Sequence, residues 1–301
     1  MSIKPSLINY RNTHIIPFRF EYYEPRSLKE ALEILEKLGD AAKILAGGTD
    51  LLVKMKTRQV EPKALVNIKR IKELKGIVDE GDRIRIGALT TLRELEESPL
   101  IARYLPALHD AVKQMASIQI RNMATIGGNL CNASPAADTA PPLLVHEALV
   151  KTASIEGERT IPITEFFKGP GLTVLKPTEL LVEIIVNKEN GSSAFSKMGR
   201  VAVDLAIASV AIYLKTRGDA VEDVRVAAGA VAPTPIRCPR TEAVLKERRI
   251  NEVSIELVRV IEEEVKPISD VRATAEYRRH LAKILAYDVF HKAVERSRGD
   301  T

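Results

Sequence analysis

Two glycine pairs carry the clearest chemical potential in the chain: Gly47-Gly48, followed by Thr49-Asp50, and Gly127-Gly128, followed by Asn129. Glycine lets the main chain approach a ligand closely and adopt positive φ, and successive amide N–H groups at such a turn form a concave nest for an anion. A hydroxyl (Thr49) or carboxamide (Asn129) beside the turn adds a donor to a phosphate oxygen. Two such turns in one domain suit the two phosphates of a pyrophosphate. Asp50 runs against that use, because a carboxylate repels phosphate; its expected role is to cap a helix at Leu51 or to bond a neighbouring N–H. A glycine pair is also how an ordinary tight turn or helix cap is made. Neither Gly-x-Gly-x-x-Gly nor Gly-x-x-x-x-Gly-Lys-Ser/Thr is present, so Rossmann and P-loop readings have no support.

The flanking sequence says what holds these turns. Ser27-Leu28-Lys29-Glu30 reads as a capping box, followed by Ala31, Leu32, Leu35 and Leu38 on one face of an amphipathic helix ending at Gly39. The apolar run Ile44-Leu45-Ala46 before the first glycine pair and Leu51-Leu52-Val53 after it place that pair on a strand-to-helix turn. Residues 64–68 read as a strand, and Ile77-Val78 with Ile84-Arg85-Ile86 as a hairpin across Glu80-Gly81-Asp82. Thr91-Leu92-Arg93-Glu94 is a second capping box. A longer helix is expected from Ser98-Pro99, with Ile101, Leu105, Leu108, Val112 and Met115 on its buried face. Residues 121–135, which contain the second glycine pair, show neither helical nor strand period, and an aperiodic stretch of that length in a compact domain is usually functional. Residues 149–155 and 160–163 suggest another hairpin, and Gly169-Pro170-Gly171 a loop. Strands are expected at 180–186, 206–215 and 221–231, then helices at about 240–248, 252–265 and 272–297, an α+β order.

A chain of 301 residues with 45% hydrophobic and 28% charged content is long enough for about two domains, and its composition excludes disordered, collagen-like and coiled-coil classes. The longest apolar stretch, Leu205 to Leu214, is far shorter than the ~20 residues of a membrane helix. Met1-Ser2-Ile3-Lys4-Pro5-Ser6 has no signal-peptide pattern, so a cytoplasmic location is expected. With only two cysteines, Cys131 and Cys238, the chain has too few for a four-cysteine iron–sulfur or zinc site, and both are expected as reduced thiols. Cys131 reads as a small buried apolar residue and Cys238 as structural. The net charge of +5 raises a basic nucleic-acid-binding alternative. Its basic residues are interleaved with acids, however, and the run Arg278, Arg279, His280, Lys283 alternates with Leu281, Ile284 and Leu285 as a solvated helix face would. Little aromatic material is available for base stacking, and the excess charge suits an anionic cofactor or a partner subunit equally well.

The segment Lys43, Ile44, Leu45, Ala46, Gly47, Gly48, Thr49, Asp50, Leu51 and the segment from Thr125 to Leu143 resemble the two flavin-binding signatures of the FAD-carrying medium subunit of molybdenum hydroxylases, the family of carbon monoxide, xanthine and aldehyde dehydrogenases. The resemblance runs from about Phe20 to the last helix and includes Phe195-Ser196-Lys197, Arg200 and Asp204-Leu205-Ala206. It implies an α+β fold: a two-subdomain FAD-binding domain of the vanillyl-alcohol-oxidase type over residues 1–175 (subdomains about 1–70 and 71–175), then a small α+β domain over 176–301 with a short antiparallel sheet and helices. It further implies that residues 43–51 lie along the FAD pyrophosphate and ribityl chain, with Ala124, Thr125, Gly128, Asn129, Cys131, Asn132, Ala137 and Asp138 opposite and Leu181 and Lys197 near a ring system. Without the resemblance, Lys197 reads as an exposed surface lysine. No side chain is implied as an acid–base catalyst. The implied partners are a large molybdopterin subunit and a small subunit with [2Fe–2S] clusters, as a dimer of heterotrimers, with electrons leaving the flavin for an external acceptor. A free-standing NAD(P)H-dependent flavin reductase is the flavoenzyme alternative.

Overall fold

The computed structural model describes residues 16–299; the N-terminal hexapeptide discussed above lies outside them. The first unit is a three-stranded parallel sheet, order β1 (Glu21–Tyr23), β3 (Ala64–Asn67), β2 (Ala42–Leu45). Parallel neighbours need crossovers, and two helices supply them. Helix α1 (Leu28–Leu38) starts at Ser27, whose Oγ accepts from the Glu30 N–H at 3.2 Å, and buries Ala31, Leu32 and Leu35 on the sheet. The Glu30 carboxylate returns to the Arg26 N–H (2.8 Å). Gly39 ends the helix at φ +49, a conformation that a side chain resists. Helix α2 (Leu51–Lys56) follows β2 across the first glycine turn, as its apolar flanks require.

The second unit is a five-stranded antiparallel sheet, order β4 (Ile77–Asp79), β5 (Arg83–Gly87), β10 (Leu180–Asn187), β6 (Leu149–Ser154), β7 (Gly157–Pro162). Both expected hairpins form. Strand β10 lies beyond residue 175 yet is the middle strand, pairing Ile184 with Ile86 on one side and with Val150 on the other, so residues 180–187 pack with the first half of the chain. Helices cover one face. The Thr91 capping box closes in both directions. The long helix expected from Ser98 is instead two, Pro99–Tyr104 and α3 (Pro106–Gln114). Pro106 has no N–H to continue the first helix and drives Leu105 out of the helical region, to φ −131 and ψ 54. The apolar face survives the break: Ile101, Leu105, Leu108 and Val112 are all buried.

The aperiodic stretch after residue 121 contains a helix, α4 (Ile126–Asn132), started by Thr125, whose Oγ1 accepts from the Gly128 N–H at 3.1 Å. Two glycines and two asparagines in seven residues hide it from a propensity reading. Packing explains Gly127, since a Cβ there would lie 2.7 Å from the Ala88 carbonyl oxygen. The Gly169-Pro170-Gly171 loop is the tip of a small hairpin, β8 (Phe167–Gly169) with β9 (Leu172–Thr173).

The third unit is an antiparallel sheet, β11 (Ser192–Met198), β12 (Ala208–Arg217), β13 (Ala220–Gly229), β14 (Ile236–Arg237), backed by the long helix α5 (Ala275–Arg298). The helix expected at 252–265 is two short 3-10 turns and one helical turn, Ile261–Glu264. Arg278, expected on a solvated face, is buried, donating to the carbonyls of Ile207 (2.6 Å) and Ala230 (3.1 Å) and paired with Asp270 (2.8 Å). Among the described residues no helix is long and apolar enough to cross a membrane.

Candidate functional site

The strand-to-helix turn between β2 and α2 is one wall of the site. It sits at the C-terminal end of a parallel strand, where ligands of such sheets bind. Backbone N–H groups of Gly47, Gly48, Thr49, Asp50 and Leu51 donate to no protein acceptor among the described residues, although Gly47 is buried and Gly48 holds φ +82. Five successive donors without acceptors form a nest awaiting an anion. Asp50 occupies the N-cap position of α2 but its side chain makes no cap hydrogen bond and is exposed, so the expected capping role is not what it does.

The opposite wall is α4 with the segment that follows it. The two walls meet directly: a Cβ on Gly47 would lie 2.3 Å from the Met123 carbonyl oxygen, and one on Gly128 would come within 3.9 Å of the Ala46 methyl. The first glycine turn and the start of α4 therefore touch at one end, and beyond the contact they open into a cleft of about 800 Å³. The second glycine pair is not the expected anion-holding turn, because the Gly127 and Gly128 amides already donate to the Ala88 carbonyl and to Thr125 Oγ1. That volume falls in the range of small-molecule and cofactor sites.

Of the residues singled out from the sequence, Lys43, Ile44, Ala46, Gly47, Gly48, Thr49, Asp50 and Leu51 line the cleft on one side, and Ala124, Thr125, Gly128, Asn129, Cys131, Asn132, Ala137, Asp138 and Leu181 on the other. Two do not line it. Leu45 is buried under the turn among Met55 and Leu65, supporting its shape from below. Lys197 stands behind the wall: its Nζ bonds Asp138 Oδ2 at 2.6 Å, with each side chain only 4% exposed, and also the Asp204 carbonyl at 3.2 Å. Lys197 is thus a buried ion-pair partner and not the surface lysine its local sequence suggests. Burial pushes the Asp138 carboxyl above its ordinary range, against the pull of the adjacent Lys197 ammonium. Asp138 Oδ1 is buried with no hydrogen-bond partner although the residue lines the cleft. An orphaned carboxylate oxygen at a cleft wall calls for a donor from a ligand.

Cys131 is exposed to the cleft, which corrects its reading as a buried apolar residue; the walls crowd it enough to push the thiol up to about 12. Cys238 is buried in the third unit, as expected. Asn129 Oδ1 accepts from Thr139 Oγ1 at 2.6 Å, which fixes its amide nitrogen as the free end. The sequence reading missed Lys54, whose Nζ donates to Asn132 Oδ1 at 2.6 Å from the first wall to the second. Its signal was available, for Lys54 lies one helical turn beyond Asp50 on α2. Also missed were Gly171, Leu172 and Thr173 of the β8–β9 hairpin and Leu205 of the third unit, which close the rim.

Comparison with known proteins decides the family. Residues 18–188 match the FAD binding domain in molybdopterin dehydrogenase, and residues 193–293 the CO dehydrogenase flavoprotein C-terminal domain. The chain belongs to the FAD-binding subunits of molybdopterin dehydrogenases. The two matched domains meet between residues 188 and 193, just after β10. Among its members, the xanthine dehydrogenase FAD-binding subunit of Escherichia coli O157:H7 is 35% identical, over 92% of this chain and 97% of that one. The glyceraldehyde dehydrogenase medium chain of Sulfolobus acidocaldarius is 33% identical, over 91% and 98%. A solved structure of carbon monoxide dehydrogenase from Hydrogenophaga pseudoflava, in a form lacking the Mo-pyranopterin moiety, superposes with a TM-score of 0.91 at 35% identity, covering 94% of this chain and 99% of that one. As a member of this family of FAD-binding subunits, the chain is a flavoprotein of the oxidoreductase class.

Proposed function

We propose that the chain holds FAD in the cleft as the medium subunit of a cytoplasmic molybdenum hydroxylase, receiving electrons from [2Fe–2S] clusters of a small partner subunit and releasing them to an external acceptor. The observation that carries this reading is the run of five acceptor-less amides at residues 47–51, set against a second wall with an orphaned carboxylate oxygen. A dinucleotide offers what both lack: phosphate oxygens for the amides and N–H or O–H donors for Asp138 Oδ1. When bound, the isoalloxazine supplies the redox chemistry. The protein's part is to bind and orient it. Glycines 47 and 48 admit the phosphates, Thr49 and Thr125 stand beside the turns, Asn129 is held with its amide nitrogen free, and the Asp138–Lys197 pair fixes an acceptor at the wall.

Partners follow from what the chain lacks. Two cysteines are too few for a four-cysteine iron–sulfur cluster, they lie apart, Cys131 at the cleft and Cys238 in the third unit, and no group of His, Cys, Asp and Glu able to hold a metal occurs among the described residues. The molybdopterin and the clusters therefore belong to a large and a small subunit, which we propose assemble with this one as a dimer of heterotrimers. Relatives that are subunits of xanthine and glyceraldehyde dehydrogenases share one flavoprotein pattern, so the oxidised substrate is set elsewhere in the complex. Two free thiols suit the reducing cytoplasm.

Purification of the full chain alone tests the proposal. It should be yellow, absorb near ~450 nm as bound oxidised flavin does, contain FAD but no iron or molybdenum, and oxidise no substrate unaided. Turnover of NAD(P)H by the isolated chain would favour a free-standing reductase. Salt-dependent retention on DNA by a flavin-free preparation would overturn the assignment.

A further inference from the structure

Lys54 has an obvious local partner that it does not use. Asp50 precedes it by four residues on α2, the spacing at which a helical ion pair forms, yet Lys54 Nζ reaches across the cleft to the neutral carboxamide oxygen of Asn132, 2.6 Å away and 78 residues on in sequence. Among the described residues no carboxylate lies within ion-pair distance of it. The other buried or half-buried charges of the cleft are compensated: Asp138 by Lys197 and Glu179 by Arg159. Among the described residues Lys54 is therefore the half-buried cation of the cleft without a carboxylate; Lys43, which also lines the cleft, is exposed. An ammonium has three donors and Asn132 uses one, and by accepting this bond Asn132 turns its own amide donors away from Lys54.

Resting on the reading of the cleft as an FAD site, we propose that Lys54 is a positioning residue for the cofactor: it fixes the Asn132 carboxamide across the cleft and supplies the countercharge for the pyrophosphate held by the amides of residues 47–51. The placement suits this. Lys54 begins about one turn of helix, roughly 5 Å, beyond those amides, and its long stem spans the remaining distance. The amides offer partial charge only; the lysine adds a full one where Asp50 contributes the opposite sign.

The test uses the full chain stripped of flavin and titrated with FAD, with ADP, which carries the same pyrophosphate, and with riboflavin, which carries no phosphate. Lys54→Met keeps the aliphatic stem and removes the charge. It should weaken FAD and ADP by about 10- to 100-fold, with a shallower salt dependence than wild type, and leave riboflavin unchanged; Lys54→Arg should restore most of the loss. Asn132→Asp, which gives the ammonium a carboxylate partner, should lower FAD and ADP affinity without touching riboflavin, and it tests the idea if the methionine variant does not fold. Wild-type affinity for FAD in Lys54→Met, or an equal loss for riboflavin, would overturn the proposal while leaving the FAD assignment intact. A wild-type chain that takes up neither FAD nor ADP would defeat the FAD assignment and the lysine's role together.

Discussion

Cys131 illustrates how a single side chain reports on the site. It is the one cysteine open to solvent, and the solvent it meets is that of the cleft, between Asn129 and Asn132. Its thiol is pushed up to about 12, so at neutral pH it is overwhelmingly protonated and slow to alkylate. In the flavin-free chain a maleimide should modify Cys131 at a rate that climbs with pH. FAD should suppress that rate at least about tenfold by filling the cleft, while Cys238, buried in the third unit, stays unmodified throughout. Peptide mapping after labelling reads both sites, and an unchanged Cys131 rate with FAD bound would place the cofactor elsewhere.

At the scale of elements, the first glycine turn and the start of α4 are built for close contact with each other. Gly47→Ala would drive a methyl into the Met123 carbonyl, against backbone that cannot swing away. A loss of about 1–3 kcal/mol in a urea titration is expected, together with weakened FAD binding. Gly169→Ala, in the β8 hairpin with nothing nearer than 3.9 Å and no positive φ, serves as the control and should change neither. Equal behaviour of the two variants would mean that the walls do not need their contact. Elements with a local grammar were legible in the sequence: α1 and the Thr91 helix from their caps, the β4–β5 and β6–β7 hairpins from their turns, and the glycine pairs from their residue types. Others had no local signature. Strand β1 is three residues placed by pairing with β3, α4 carries a glycine at 127 because its backbone lies against Ala88, and β11 owes its place to β12. The same division runs through the site, since the Lys54–Asn132 and Asp138–Lys197 bonds join residues 78 and 59 apart, which no short-range pattern announces.

Across the whole molecule, the third unit is sewn to the second through buried polar groups. Asp110 on α3 receives both guanidinium nitrogens of Arg296 at 2.8 Å each and the Phe195 N–H at 3.1 Å. Nearby, Ser193 Oγ accepts from the Ala107 N–H and meets His146 Nε2, both at 3.0 Å. His146 lies against the Tyr213 ring, with Glu189 at 4.0 Å. Burial, assisted by Arg225, pushes its pKa down to about 3. In the unfolded chain an ordinary histidine takes its proton near 6.5. The folded state therefore binds fewer protons at this site between those values: the contribution of His146 is fully present above pH ~6.5 and is lost, at up to about 1.4 kcal/mol per pH unit, as the pH falls towards 3. Urea midpoints measured from pH 8 to 4.5 should show this decline, and His146→Gln should flatten it relative to wild type; parallel slopes in the two proteins would assign the acid sensitivity to other groups.

The Asp138–Lys197 bond has one further consequence. Lys197 belongs to β11 of the third unit, while Asp138 borders the cleft of the first two. A ligand that satisfies the orphaned oxygen of Asp138 thus presses on the same joint from the inside that β11 braces from the outside. A ligand that bonds this oxygen is therefore expected to raise the unfolding midpoint of the third unit together with that of the first two, which a thermal melt with and without FAD reads.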